Sequence, residues 1–249
     1  MPDKTYCYPN SEVLINKLNI RNQKDLFEAE KELTYIRLKE LQDCPIKGNF
    51  DFKHLKDIHK YIFQDLYDWA GQIRTVEIGK GNLFCTTPCI QSYADTVFKK
   101  YYFECNAHKD NKEDYIWAFA QNYGDLNALH PFREGNGRTQ REFARLICMQ
   151  CGYAFDLSVT THEEMLMASK ISFDKGDNQF LRDIFSRAVI QKELYYKKDE
   201  QYLKILTSDD LIIKDEHGKY DYYGYESFQN IQFYNQIYNA KIEKMKKYT

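Results

Sequence analysis

The sequence predicts a mainly α-helical fold with one short β-hairpin. Apolar residues recur at helical spacing in four segments, residues 24–41, 51–70, 92–102 and 113–129, and this spacing is typical of helices with one buried face. Between the second and third segments the pattern changes to alternation around two glycines. With 249 residues, of which 43% are apolar, the chain is long enough to bury one main core and carry an appendage.

The first two helices have the clearest patterns. The predicted helix over 24–41 stops before Pro45, and the predicted helix over 51–70 is closed by Gly71, as expected for residues that end helices. Their apolar positions are Leu26, Leu33, Ile36 and Leu41 in the first and Leu55, Ile58, Ile62, Leu66 and Trp69 in the second.

Two segments depart from the helical pattern. Residues 73–88, IRTVEIGKGNLFCTTP, alternate and then turn at Gly79 and Gly81, which predicts a short hairpin with an exposed edge. A second hairpin is predicted over residues 211–225, with its turn at His217 and Gly218.

Charge and cysteine content exclude several classes of protein. A formal net charge of −2 argues against a protein that coats nucleic acid or an anionic membrane. Seven scattered cysteines are not the pattern of a disulfide framework. No stretch approaches the roughly 18 apolar residues of a membrane span, and the first residues lack the pattern of a secretory signal. We therefore expect a cytoplasmic protein with no membrane partner.

Three regions are predicted along the chain. Residues 1–49 form a lead-in with the first helix, residues 50–190 form the main domain, and residues 191–249 form an accessory segment rich in tyrosine and lysine. Interleaved basic and aromatic residues can stack on single-stranded nucleic acid. Because acidic residues are as frequent in this segment, we favour packing on the core or on a partner over binding to nucleic acid.

The candidate site lies in residues 127–145, NALHPFREGNGRTQREFAR. Pro131 interrupts the preceding helix because it lacks the donor of the helical hydrogen bond, so His130 is expected at a helix end that faces a loop. The loop contains Gly135 and Gly137 and leads into a new helix. The first N–H groups of a helix and the positive end of its dipole together form an anion site.

The other side chains of this stretch suit a chain of phosphates. Arg138, Arg141 and Arg145 are spaced three and four apart, so they lie on one helix face, where guanidinium groups clamp phosphate oxygens. We expect Arg145 to be structural or to lie at the rim of the site. Asn136 can donate a further hydrogen bond without adding charge.

An acid and a histidine complete the candidate site. Glu134 would repel bare phosphates, but it fits a bound Mg²⁺ that bridges the acid to phosphate oxygens. His130 has the side chain suited to removing a proton from a hydroxyl near neutral pH. The residues therefore predict nucleotidyl or phosphoryl transfer.

The stretch from His130 to Arg141 resembles the Fic family motif, H-x-F-x-[DE]-G-N-G-R-x-x-R, at every fixed position. The resemblance covers roughly residues 50–190. Residues 63–82, FQDLYDWAGQIRTVEIGKGN, resemble the segment that leads into the family's flap, and YGDLNALHPF resembles its approach helix. The N-terminal lead-in is similar to that of bacterial Fic toxins. The resemblance implies the Fic fold, a helical bundle with a short hairpin flap over the active site.

The resemblance also implies an activity. His130 would take the proton from a target hydroxyl on Tyr, Thr or Ser, which would attack the α-phosphate of ATP, leaving AMP on the target and releasing pyrophosphate. Phe132 would be buried to hold the loop. The flap, residues 74–88, would dock the target as an added strand. The implied ligands are Mg²⁺ at Glu134, and ATP at Gly135, Asn136, Gly137, Arg138, Arg141, Lys80 and Gly81.

Other reactions remain open. Family branches transfer phosphocholine, other nucleotides or a phosphoryl group, although Gly135 keeps the form of the nucleotidyltransferases. A binding module that has lost catalysis is a further alternative. Some bacterial Fic toxins modify type II DNA topoisomerase subunits, which makes such a subunit a candidate target.

Inhibition is expected to come from another chain. Many Fic proteins carry an inhibitory helix with the pattern [ST]-x-x-x-E-[GN], whose glutamate engages the position of Arg141. The one approximate match, Thr160 to Glu164, is followed by Met165 and lies past the motif helix. The chain therefore resembles the branch inhibited by a small separate antitoxin.

Several other residues are interpreted as structural. His54 and His59 are read as ordinary helix residues, and His162 as part of a helix start. Core positions are predicted for Cys148, Cys151, Trp117, Phe119 and Tyr123.

Overall fold

The computed structural model describes residues 5–80 and 82–192, together with Leu194. In these ranges the chain is mainly helical, which confirms the predicted fold class. The α-helices of this part are α1 (Gln23–Asp43), α2 (Phe52–Phe63), α3 (Ile90–Ala107), α4 (Lys112–Leu129), α5 (Asn136–Gln150), α6 (His162–Lys175) and α7 (Gln179–Ala188).

Two small antiparallel sheets accompany the helices. The first joins β1 (Gly79–Lys80) to β2 (Asn82–Leu83) and confirms the hairpin predicted within residues 73–88. The second joins β3 (Tyr153–Phe155) to β4 (Val189–Gln191), and the sequence did not predict it. The hairpin predicted over 211–225 lies outside the described residues, as does most of the C-terminal segment.

Helix starts follow the capping residues. The side chain of Asn22 accepts hydrogen bonds from the backbone of Lys24 and Asp25 at the start of α1, and Asn111 caps α4 in the same way. These acceptors satisfy N–H groups that have no partner within the helix. The helices predicted over 24–41 and 113–129 are confirmed, and α3 extends beyond the predicted 92–102 at both ends.

The prediction for α2 was wrong at its C-terminal end. The helix stops at Phe63, and the chain continues to Ala70 in turns, in which Leu66 and Tyr67 both donate to the Phe63 carbonyl. Leu66 and Tyr67 are buried. The apolar spacing thus continued past the helix because it reflects burial, and turns can bury side chains as well as a helix can.

The core surrounds α4 and α5. Phe119, Tyr123 and Cys148 are buried there, as predicted, and burial raises the pKa of the Cys148 thiol. Cys151 is buried too. Trp117 is 49% exposed, so its predicted core position was wrong; it shares a helix face with the residues three and four positions before it, which are also exposed.

The N-terminal lead-in shares this core. Tyr6, Tyr8 and Leu14 are buried in the same cluster as the motif residues, and Arg37 of α1 is ion-paired with Asp65 at 2.7 Å. The three predicted regions, with boundaries at residues 49/50 and 190/191, stay a prediction. In the described ranges no helix has an apolar stretch of the length needed to cross a bilayer.

Candidate active site

His130 ends α4 in an unusual backbone conformation. Its φ of 41° and ψ of 59° are left-handed, a region that few non-glycine residues occupy. Two bonds from Arg74 hold this corner: the backbone N–H donates to the Pro131 carbonyl at 2.9 Å, and Nε donates to the His130 carbonyl at 2.9 Å. The corner turns the imidazole toward the cavity described below.

A backbone hydrogen bond determines the tautomer of His130. Nδ1 lies 2.9 Å from the carbonyl oxygen of Asn127. Because a carbonyl oxygen only accepts, Nδ1 carries the proton and Nε2 carries the lone pair of the neutral ring. This arrangement is the one a general base requires.

Phe84 positions the imidazole from the other side. Its ring stacks on His130 with the centroids 3.7 Å apart and the planes 8° apart, and it also contacts Phe173 of α6 at 4.7 Å. Phe84 directly follows β2, so its contact with the imidazole holds the hairpin over His130. Sequence reasoning missed Phe84, because an aromatic residue after a hairpin has no local pattern that marks a stacking partner.

The flap is also held at its base and tip. The buried guanidinium of Arg74 donates to the carbonyl of Val76 at 2.8 Å and to that of Cys85. At the tip, the Asn82 side chain donates to Asp174 of α6 at 2.9 Å. The sequence placed Arg74 in the flap without indicating that its buried side chain binds the chain on both sides of the hairpin.

The loop between α4 and α5 is closed by Asn136. Its side-chain oxygen accepts from the Phe132 N–H at 2.9 Å, and its amide nitrogen donates to the Phe132 carbonyl at 2.7 Å. Phe132 is fully buried, as predicted. The Asn136 side chain thus holds the loop, and its predicted role in binding phosphate stays a prediction.

Gly135 is the N-cap of α5, with φ of 80°. A Cβ atom here would lie 2.1 Å from Cζ of Phe63, so both the backbone conformation and the available space require glycine. Glycine has no side chain to cap the helix, and the residues of the first turn of α5 line the cavity described below. An anion placed there would meet donors and the positive end of the helix dipole.

His59 supports the same loop from below, and sequence reasoning missed it. Its Nδ1 accepts from the Gly71 N–H at 2.8 Å, so the proton lies on Nε2, which donates to the Glu134 carbonyl at 3.0 Å. The ring is fully buried and stacks on Phe132 at 3.8 Å. His59 lies within α2, as predicted, but its hydrogen-bond partners are 12 and 75 residues away in the chain.

Burial of His59 predicts a pH-dependent stability. Burial lowers the pKa of His59 to about 3, assisted by the nearby charge of Arg138 and opposed by its bond to Glu134. Between this value and about 6.5 the unfolded chain binds a proton that the folded chain does not. The stabilisation that neutral His59 gives the folded protein is complete above about pH 6.5 and decreases as the pH falls. At pH 5 the free energy of unfolding is lower by about 2 kcal/mol.

We expect denaturant titrations to show this loss in the wild-type protein and not in His59→Phe. Carboxylates contribute the same pH dependence to both proteins, so the difference between them isolates His59. Equal losses of unfolding free energy between about pH 7.5 and about pH 5 would contradict the assignment.

Glu134 and Arg138 lie at the border between the loop and α1. The half-exposed Glu134 carboxylate accepts from the Gly135 N–H at 2.8 Å and is 3.7 Å from Arg138. Arg138 is ion-paired with Glu30 and donates to Thr34 at 3.1 Å. Glu30 also accepts from the Tyr67 hydroxyl. The motif predicted the arginine but not these partners on α1, and a phosphate role for Arg138 stays a prediction.

The other two arginines of α5, Arg141 and Arg145, make different contacts. A Cβ atom on Gly137 would lie 3.1 Å from Nη1 of Arg141, so this guanidinium lies against the first turn of α5. Arg145 instead donates to Glu142 and to the Leu41 carbonyl at 3.0 Å. The structural interpretation of Arg145 is therefore confirmed.

These residues surround a cavity of about 800 Å³, a size typical of small-molecule sites. Flap residues 76–79 and Phe84 line one wall, and α6 lines another. The Lys80 side chain and Gly81 lie outside what the structure describes. The predicted site residues that line the cavity are His130, Glu134, Gly135, Asn136, Gly137, Arg138 and Arg141.

Glu164, the acid of the approximate inhibitory pattern, has a local role. It accepts from the Thr160 hydroxyl at 2.8 Å and from the Thr161 N–H at 3.2 Å, which forms a capping box at the start of α6. The helix begins at His162, as predicted. Glu164 thus serves the start of α6.

Comparisons with known proteins agree with this geometry. The family model described as Fic/DOC matches residues 49–148. "Protein adenylyltransferase VbhT" of Bartonella schoenbuchensis is 39% identical over 68% of this chain, which spans only 35% of that protein. "Probable protein adenylyltransferase y4lH" of Sinorhizobium fredii is 38% identical over 69% of this chain and 88% of its own length.

A solved structure gives the same result for the fold. The N-terminal Fic domain of a Bartonella quintana effector protein, with bound ADP, superposes with a TM-score of 0.71 at 28% identity, covering 77% of this chain and 97% of that one. The motif, the cavity it lines and a relative matched over most of its length agree. The chain belongs to the Fic/DOC family.

Proposed function

We propose that this protein transfers AMP from ATP to a hydroxyl side chain of a target protein. The observation that carries the proposal is the His130 imidazole, whose tautomer leaves the lone pair on Nε2, in the same cavity as the α5 N-terminus. The names of the curated relatives, protein adenylyltransferases, support the reaction, and the ADP bound to the related domain supports a nucleotide substrate.

In the proposed reaction, Nε2 of His130 takes the proton of the target hydroxyl as its oxygen attacks the α-phosphorus. A bond forms between that oxygen and phosphorus, and the bond from phosphorus to the bridging oxygen breaks, so that pyrophosphate leaves. Backbone N–H groups of Asn136 and Gly137 bind phosphate oxygens, while Gly135, whose own N–H donates to the Glu134 carboxylate, shapes the loop around them. Arg141 and Arg138 balance the charge of the distal phosphates. Negative charge develops there as pyrophosphate leaves, and donors aimed at developing charge contribute most to lowering the barrier.

Glu134 has the chemistry to hold Mg²⁺ together with these phosphates. Its carboxylate lines the cavity and is half exposed, and Mg²⁺ prefers one or two carboxylates plus phosphate oxygens and water. Bound there, the ion would offset the negative charge of the phosphates. The Gly135 N–H fixes one carboxylate oxygen at 2.8 Å, which limits the directions in which Glu134 can present the other.

The target is proposed to dock along the flap. The flap strands form a two-stranded sheet, Leu83 is 60% exposed, and Phe84 connects the flap to His130. An extended target segment added to this edge would bring its hydroxyl toward the imidazole. A type II topoisomerase subunit in a bacterial cytoplasm is the proposed example.

Inhibition is proposed to come from a small separate antitoxin whose helix approaches Arg141. Replacing Glu164 by glutamine is therefore expected to leave the rate of AMP transfer unchanged, because this acid caps α6. Glu163→Gln, on the same exposed first turn, is the matched control. A rise in rate specific to purified Glu164→Gln would show inhibition within the chain and contradict the proposal.

Label transfer from α-³²P-ATP in a bacterial lysate tests the reaction, beside γ-³²P-ATP. A protein band labelled only from the α position supports AMP transfer. Label only from the γ position would show a kinase. No label from either nucleotide would favour another donor or a binding module. Label only from the γ position and no label at all would each overturn the proposal.

A further inference from the structure

One peptide unit of the loop is held at both ends. The carbonyl of Glu134 accepts from His59 at 3.0 Å, and the N–H of the same unit, which belongs to Gly135, donates to the Glu134 carboxylate at 2.8 Å. Rotation of this unit would change the φ of Gly135 and the direction of the carboxylate together. The two bonds therefore keep the first turn of α5 and the acid of the motif in one arrangement.

The histidine in this arrangement is itself immobile. Its ring stacks on Phe132 at 3.8 Å and on Phe63 at 4.7 Å, and its other nitrogen is tied to Gly71 after α2. Phe63 also fills the space beneath Gly135. The loop is thus shaped against α2, by one hydrogen bond from His59 and by the surface of Phe63.

We propose that His59 is a positioning residue for nucleotide binding and transfer, acting through the Glu134–Gly135 peptide. The proposal rests on the proposed function, since it assigns to the loop the role of holding the phosphates. His59 does not touch the cavity that would contain the nucleotide, so its effect passes through the peptide it holds. Without its bond, the peptide would sample other orientations, and the donors of α5 would no longer converge on one point.

His54 is a matched control on the same helix. It is also buried, its Nδ1 accepts from the Phe50 N–H at 3.3 Å, and its Nε2 lies 2.9 Å from the Ile46 carbonyl. Both histidines therefore bridge a backbone donor and a backbone acceptor. Only the bonds of His59 reach the motif loop, whereas those of His54 hold the segment before α2.

The experiment compares His59→Phe with His54→Phe in the full chain. Each change keeps an aromatic ring and removes both hydrogen bonds. Three quantities are measured: the melting temperature, the affinity for ADP carrying an N-methylanthraniloyl fluorophore, with and without Mg²⁺, and kcat and KM for AMP transfer. We expect similar melting temperatures for the two variants. His59→Phe should bind the ADP probe about tenfold more weakly than His54→Phe, the equivalent of one hydrogen bond, and have a lower kcat.

Two results would separate the inference from the proposed function. Equal probe affinity and equal kcat in the two variants would overturn the role of His59 even if the wild-type protein transfers AMP. A wild-type protein that transfers no AMP, but whose probe affinity falls only with His59→Phe, would overturn the proposed reaction and support the positioning role.

Conservative variants decide the matter if His59→Phe does not fold. His59→Gln keeps a donor near the place of Nε2, and His59→Asn keeps an acceptor near the place of Nδ1. If the bond to the Glu134 carbonyl is the important one, glutamine restores probe affinity better than asparagine. Better restoration by asparagine would overturn the inference.

Discussion

Replacing His130 by alanine is expected to lower the rate of AMP transfer by about 10²–10⁴-fold, the usual contribution of a general base. The reason is that Nε2 is the proposed acceptor of the target's proton, with its lone pair set by the Nδ1 bond to Asn127. The phosphate donors belong to α5, so affinity for the fluorescent ADP probe should change little. Initial rates with α-³²P-ATP, together with probe titrations, measure both quantities.

His108→Ala is the control for loss of a histidine as such. His108 follows α3 and is exposed, so its removal should leave the rate near that of the wild-type protein. Residual transfer by His130→Ala above one tenth of the wild-type rate would argue against His130 as the base. A parallel loss of probe affinity would instead point to a disturbed cavity.

Replacing Gly135 by alanine is expected to lower the rate of AMP transfer by about 100-fold, the cost of a misplacement near 1 Å in a site. The added Cβ would lie 2.1 Å from the Phe63 ring, beside a backbone φ of 80°. Either Phe63 or the loop must shift, and both belong to the structure that orients the first turn of α5. The measurements are the transfer rate, the probe affinity and the melting temperature.

Gly152→Ala separates the steric clash from backbone strain. Gly152 has a φ of 88°, and among the described residues no heavy atom counted as a neighbour lies within 4 Å of its would-be Cβ. The variant should therefore carry only the cost of a left-handed alanine, about 1 kcal/mol, with an unchanged transfer rate. Equal rates in Gly135→Ala and Gly152→Ala would refute the requirement for space at the loop.

The local sequence was sufficient for much of the fold. Apolar spacing predicted α1 and α4 closely, and alternation around Gly79 predicted the flap hairpin. The same reasoning failed at the end of α2 and at Trp117. In both places the prediction depended on which side of the chain faces the core. The neighbouring elements of the fold decide that, and a local sequence pattern does not show it.

The candidate site divides in the same way. The motif from His130 to Arg141 could be read directly, because residues that flank a helix end and its following loop are close in space whatever the rest of the chain does. By itself the sequence therefore determined the family motif, a helix end that presents a histidine, and a glycine-rich loop that leads into α5.

Only the tertiary structure decided what holds these parts in place. His59 binds the Glu134 carbonyl from 75 residues away, Arg138 pairs with Glu30 across 108 residues, and Phe84 stacks on the His130 ring. Residues so far apart meet only after α1, α2 and the flap have packed around α5. Spacing in a sequence describes neighbours along the chain, whereas the ring stacked on His130, the peptide held by His59 and the partner of Arg138 depend on neighbours in space.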